Sequence, residues 1–195
     1  MTAITPLEFI HKKGIFGDHQ KKQEKELLKI SEVKGLMIFQ IVQYKKSNND
    51  IKSVQVDDLK FPLEHSSVAS NRETRILWNA PKTWLIISSK EEIVNEIKKN
   101  CNDKYFAVTD ISHSRAIIQI KGKNSREVLK KGCPLNMNEF KKNSCAGSVF
   151  HGINIIFDCI DNEPDTFNLL TLRSFGESFY HHISDAALEF GYTGI

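Results

Sequence analysis

The feature that most limits what this chain can become is a pattern that occurs twice: two β-prone runs joined by a turn, then a serine-led helix start. In the first copy, residues 74–78 (TRILW) and 84–87 (WLII) flank Asn79-Ala80-Pro81-Lys82, whose proline suits a turn. Ser89-Lys90-Glu91-Glu92 follows with the S-x-x-E spacing of a capping box, and Ile93, Val94, Ile97 and Cys101 share one helical face. In the second copy, residues 153–160 (INIIFDCI) and 167–173 (FNLLTLR) flank the turn-forming 161–165 (DNEPD). Ser174-Phe175-Gly176-Glu177 repeats the capping-box spacing ahead of a helix expected to bury Phe175, Phe179, Ile183, Ala186, Ala187 and Phe190 and to close at Gly191.

A sheet with one apolar face needs cover, and one helix per copy supplies it. The expectation is therefore an α+β fold of two duplicated halves, in two layers around a shared core. Each half also opens with paired β segments. These are 36–44 (LMIFQIVQY) and 53–56 in the first, separated by a turn at Ser47-Asn48-Asn49-Asp50, and 108–113 and 116–122 in the second. A helix over 125–131, stopped by Gly132 and Pro134, follows in the second half, and 57–72 reads as a loop with at most a short helical turn. Residues 1–35, dense in Lys, Glu and Gln, read as an arm, its first dozen residues in solvent. Residues 36–195 then form one domain, with halves at about 36–106 and 107–195.

Several function classes drop out on composition. Hydrophobic types make up 40% of the chain, enough for a core, and no window approaches the apolar length of a membrane helix or a signal peptide. A soluble, cytoplasmic protein without a membrane partner is expected. The net charge is +3 and the lysine pairs are scattered, with arginine only at Arg72, Arg75, Arg115, Arg126 and Arg173, so no nucleic-acid partner is expected. Cys101, Cys133, Cys145 and Cys159 lack paired metal or dithiol spacing and read as reduced thiols.

No catalytic set emerges from the motifs. Ser112 and His113 are neighbours on an expected strand and so point to opposite faces, which rules out a nucleophile–base pair. His181 and His182 are adjacent in a helix, where metal pairs use i, i+4 spacing. Cys133 follows a helix end, where the dipole disfavours a thiolate, and reads as a small buried hydrophobe. Trp78 and Trp84 read as core rather than a stacking platform. No glycine-rich phosphate loop is present, and no metal site is expected.

Five strings, in this order, resemble the gamma subunit of heterotetrameric sarcosine oxidases from about residue 36 to 191. They are Ile76-Leu77-Trp78 with Pro81-Lys82-Thr83-Trp84-Leu85; Thr109-Asp110-Ile111-Ser112-His113 with Arg115; Val128-Leu129-Lys130-Lys131-Gly132-Cys133-Pro134-Leu135; Arg173-Ser174-Phe175; and Asp185-Ala186-Ala187-Leu188-Glu189-Phe190-Gly191. Asn136-Met137-Asn138 departs from the pattern, and the N-terminal arm has no counterpart in it. The resemblance implies a fold related to the folate-binding domain of glycine-cleavage aminomethyltransferase, in two β-β-α-β-β-β-α halves. It implies a noncatalytic structural subunit with alpha, beta and delta partners, the flavins, NAD, tetrahydrofolate and zinc residing on those partners. The complex would demethylate sarcosine oxidatively to glycine, passing the one-carbon unit to tetrahydrofolate and releasing hydrogen peroxide. A free-standing folate-binding protein related to aminomethyltransferase is the alternative. An apolar interface is expected to include Trp84, Arg173, Phe175 and Phe179, because obligate interfaces resemble a core cut in half.

Overall fold

In order along the chain lie β1 (Gly14–Phe16), β2 (Leu28–Glu32), β3 (Met37–Gln43), β4 (Gln55–Val56), β5 (Leu59–Lys60), β6 (Val68–Ser70), β7 (Thr74–Ala80), β8 (Thr83–Ser88), α1 (Ile93–Asn100) and β9 (Phe106–Asp110). β10 (Arg115–Lys121), α2 (Ser125–Lys130), β11 (Cys145–Phe150), β12 (Ile153–Asn162), β13 (Asp165–Leu172), α3 (Gly176–Ala187) and β14 (Tyr192–Gly194) complete it. This computed structural model describes residues 4–45 and 51–195; the turn expected at Ser47, Asn48, Asn49 and Asp50 lies outside the described residues. Two compact units result, Gly35–His113, and Met1–Lys34 with Ser114–Ile195.

In the first unit five antiparallel strands pair in the order β6-β7-β8-β3-β9. β7 and β8 are the expected hairpin, extended to a tight turn at Pro81 and Lys82 in which Lys82 takes a φ of +59°. Phe39, Ile41, Ile76, Trp84 and Ile86 join Ile93 and Ile97 of α1 in one apolar cluster. Their alternation along the strands puts these side chains on one face.

The Ser89 capping box does not form. Ser88 ends β8 fully buried, with its hydroxyl bonded to that of Thr74 (2.8 Å) and accepting from Lys90 N–H (3.1 Å), and the helix starts only at Ile93. Residues 51–53 form a 3-10 turn, so the strand expected at 53–56 shrinks to β4. The loop expected over 57–72 contains β5 and β6. The strand expected at 108–113 is β9, ending at Asp110, whose carboxylate accepts from Ser112 N–H (2.9 Å) and Oγ–H (2.6 Å) and turns the chain.

Between β4 and β5 the backbone bends at Asp57 and Asp58, both at positive φ. The Asp57 carboxylate is ion-paired to Lys90, which also reaches Glu73 (3.5 Å), and accepts from Asn71 (2.8 Å). Burial would raise its pKa, but the hydrogen bonds from Lys90, Thr74 and Asn71 outweigh that and hold it down at about 2. A depressed carboxylate stabilises the fold above its unfolded pKa of about 3.9 and loses that contribution as pH falls toward its native value. Asp57→Asn is therefore expected to cost about 1–2 kcal/mol at pH 7, discounted for the partly exposed Lys90. It should also flatten the fall in stability between about pH 4 and 2, as read by urea unfolding across pH.

The second unit holds seven strands in the order β1-β14-β2-β10-β13-β12-β11, antiparallel except where β14 runs parallel to β2. Ile118, Ile120, Phe157, Phe167 and Leu169 form its apolar face, clustered with Val128 and Leu129 of α2 and Phe179, Ile183 and Ala187 of α3. The capping box at Ser174 is absent here too: residues 173–175 make a 3-10 turn and α3 begins at Gly176 with Phe175 at its N-cap. Phe175 lies outside the core, and Gly191, at φ +69°, follows the helix end by four residues.

Within residues 1–35, expected as an arm, β1 and β2 are strands of this sheet. β2 lies between β14 and β10, Leu7, Leu28 and Ile30 are completely buried, and Glu32 accepts from Leu7 N–H (3.0 Å) and Thr5 Oγ–H (2.8 Å). Each unit has an apolar cluster of its own.

The duplication is visible in the chain order. One copy runs β2, β3, the 51–53 turn, β6, β7, β8, α1; the other runs β9, β10, α2, β11, β12, β13, α3. β6-β7-β8-β3 and β11-β12-β13-β10 have the same sheet order, and the first strand of each copy pairs in the other copy's sheet: β2 with β10, β9 with β3. Among the described residues no helix is long and apolar enough to cross a membrane.

Candidate functional site

Ser112 and Cys133, the two candidate nucleophiles, both make hydrogen bonds that hold local structure. Ser112 Oγ accepts from Ile38 N–H (2.9 Å) and donates to Asp110, tying the turn after β9 to β3, while His113 beside it is exposed. Cys133 is buried, with its Sγ accepting from Leu135 N–H (3.4 Å) just beyond α2. All four cysteines are buried free thiols, and burial pushes Cys101 up to about 12. A thiol so raised is not a nucleophile at neutral pH. His181 faces solvent near Glu177 (3.9 Å), and the His182 ring lies 5.1 Å from that of His151. No three His, Cys, Asp or Glu side chains converge as metal ligands among the described residues.

The four expected interface residues separate. Trp84 is interior: it is 2% exposed, its Nε1–H donates to the Pro62 carbonyl (2.7 Å) and its ring meets Phe61 edge-on. Phe179 is completely buried under the second sheet's apolar face, with its ring against Phe150. Both come from strongly apolar stretches, and the inner positions of such stretches fill the core first. Phe175 is 45% exposed, and Arg173 donates to the Ile4 carbonyl.

That last contact brings together what the sequence did not. The turn over residues 5–10 is pinned from below by the buried Leu7 and by Glu32, itself 3.2 Å from Lys34, and displays Phe9 at 85% exposure with Ile4 also in solvent. Ile4, Phe9, Leu172 and Phe175 are exposed apolar side chains of the second unit, and the Arg173 hydrogen bond ties the segment that carries Ile4 to the one that carries Leu172 and Phe175. The signal available in the sequence was the apolar content of residues 4–10 (ITPLEFI), with Phe9 among them. The arm reading hid it.

Two concavities also belong to the second unit. One, of about 490 Å³, is lined by Ile10, Phe16, Tyr180, His181, Ser184 and Tyr192. Tyr192 stacks on Phe16, and burial pushes its phenol up to about 12, so it is a neutral hydrogen-bonding group there. The other, of about 410 Å³, lies on the sheet face away from the helices. In the registers of β10, β13, β12 and β11, Arg115, Leu172, Asn154 and Val149 form one row across this face, and Ile117, Leu170, Ile156 and Gly147 the next. The Arg115 guanidinium is half-buried and makes one long hydrogen bond, to the Ser114 carbonyl (3.5 Å); burial lowers its pKa.

Comparison with known proteins supplies context for these surfaces. The model of the family described as "Sarcosine oxidase, gamma subunit family" matches residues 50–189. No curated protein sequence matches the chain. Among solved structures, a chain of the heterotetrameric sarcosine oxidase from Corynebacterium sp. U-96, in complex with pyrrole 2-carboxylate, is similar with a TM-score of 0.83 at 18% identity. That similarity covers 97% of this chain and 97% of the other. The glycine cleavage system aminomethyltransferase T from Bartonella henselae is similar with a TM-score of 0.61 at 10% identity, over 82% of this chain and 46% of that one. The chain thus spans less than half of that aminomethyltransferase, and both likenesses are of fold.

Proposed function

The chain belongs to the sarcosine oxidase gamma subunit family, and from that membership we propose that it is a noncatalytic assembly subunit of a cytoplasmic heterotetrameric sarcosine oxidase. The observation that carries this reading is the family match over residues 50–189, together with exposed apolar side chains at Ile4, Phe9, Leu172 and Phe175. Exposed apolar patches on a folded unit mark protein contacts. The engagement of Ser112 and Cys133 in structural hydrogen bonds supports the noncatalytic part. In this reading alpha, beta and delta partners carry the flavins, NAD, tetrahydrofolate and zinc. The assembly converts sarcosine to glycine, hydrogen peroxide and a one-carbon unit taken up by tetrahydrofolate.

The test is isolation of the chain from native extract, followed by an absorption spectrum and a peroxide assay with sarcosine. Recovery with three partners in a yellow, sarcosine-oxidising assembly is expected, as is a colourless and inactive chain when purified alone. A lone chain that binds tetrahydrofolate in a titration, or that releases peroxide from sarcosine, overturns the reading in favour of a free-standing folate protein or an enzyme. Phe9→Ser should weaken assembly while leaving the melting temperature of the isolated chain within about 2 °C, since substitutions at exposed positions stay within about 0.5 kcal/mol.

A further inference from the structure

We infer that the groove headed by Arg115 receives a carboxylate-bearing, otherwise apolar segment of a partner subunit. This rests on the assembly reading above and names the chemistry of one of its contacts. The first support is charge. Arg115 opens β10 with donors in a fixed fork and no ion pair among the described residues, against the exposed Leu172 and the half-buried Val149 and Ile156. A guanidinium held at an apolar surface gains most from a carboxylate presented in bidentate geometry, and interface cores are enriched in arginine for that reason.

The second support is shape. Gly147 belongs to the outermost strand of the sheet, and a Cβ built there meets nothing within 4 Å, so the groove keeps an open floor where a side chain would otherwise stand. An apolar side chain of the incoming segment fits over Gly147 and Ile156 while its carboxylate reaches Arg115. Two exposed or half-exposed apolar residues, Leu172 and Val149, stand in the same row as the arginine to flank it. A free small molecule is the poorer occupant. Ligand pockets bury most of a ligand behind walls, whereas this groove is a shallow sheet face with Arg115 and Asn154 as its main polar side chains.

The experiment measures assembly of the full chain with its co-purified partner subunits, for the parent and for Arg115→Leu, Arg115→Lys and Gly147→Phe. Leucine suits a strand, and the open space at Gly147 admits a ring, so both variants should melt as the parent does. At physiological salt Arg115→Leu and Gly147→Phe should each raise the assembly Kd at least about tenfold, with Arg115→Lys falling between them and the parent because an ammonium keeps the charge but not the fork. Added salt should weaken the parent assembly more than that of Arg115→Leu.

Folded variants that assemble with the parent's affinity overturn the inference. So does saturable binding of acetate or sarcosine to the isolated parent chain that Arg115→Leu abolishes, which would give the groove to a small carboxylate. A parent chain that fails to assemble at all would instead bring down the proposed function, so the two failures are separable.

Discussion

A chain beginning at Gly35 is expected not to fold. Removing residues 1–34 takes away β1 and, from between β14 and β10, β2, leaves β14 with neither of its ladder partners, and strips Leu7, Leu27, Leu28 and Ile30 from the core. Burying each such side chain is worth about 1.5–3 kcal/mol, so the four account for roughly 6–12 kcal/mol. A domain's whole stability is about 5–15 kcal/mol. Circular dichroism and amide NMR dispersion of residues 35–195 should show loss of cooperative unfolding. A truncated chain that melts within a few degrees of the parent would return those residues to the status of an arm.

The second large effect is expected at Gly191. It holds a φ of +69°, and a Cβ there would lie 2.4 Å from the Asp18 carbonyl oxygen and 2.9 Å from Leu27 Cδ2. Two separate costs follow. A side chain at positive φ strains the backbone by about 1–3 kcal/mol, and the clash forces the segment before β2 away from the end of α3 at a further cost of about 1–3 kcal/mol. Gly191→Ala should therefore lower stability by about 2–6 kcal/mol in urea unfolding, far more than an alanine ordinarily costs at the end of a helix. A change under about 1 kcal/mol would show that Asp18 gives way freely.

The same glycine shows how much of the fold the sequence carried. Its left-handed conformation beyond the helix was readable from type and position, but the helix end four residues earlier and the close approach of Asp18, far away in the chain, were not. Hairpin β7–β8 and the pairing of β12 with β13 were legible because long apolar runs flanked obvious turns. β2 was not: LKISE alternates correctly, but three lysines and four glutamates or glutamines crowd residues 20–26 just before it, and composition masked a period of two.

The two capping boxes mislead for a common reason. A serine with glutamate three residues on is a local signal, while the helix start was decided by where β8 and β13 could let go of their ladders, Ser88 being fully buried at the end of one. Trp84 and Phe179 entered the interface expectation because large apolar residues serve both interfaces and cores, and only the neighbouring strands decide between them. The Arg115 groove was beyond reach for the opposite reason. Its two rows are drawn from four strands, and no stretch of sequence contains more than a fragment of either.

The exchange of first strands between the two copies also sets a clock. β2 ends at Glu32, and β10, its antiparallel neighbour, begins only at Arg115. At a synthesis rate of about 5–20 residues per second, a gap of roughly eighty residues keeps the finished strand waiting on the order of 4–16 s for its mate. Throughout that interval Leu28 and Ile30 have no sheet to enter, and an unpaired apolar edge is an invitation to pair with another nascent chain. The lysines and glutamates just upstream of β2 are charges of the kind that blunt an unpaired strand edge until its place in the sheet exists.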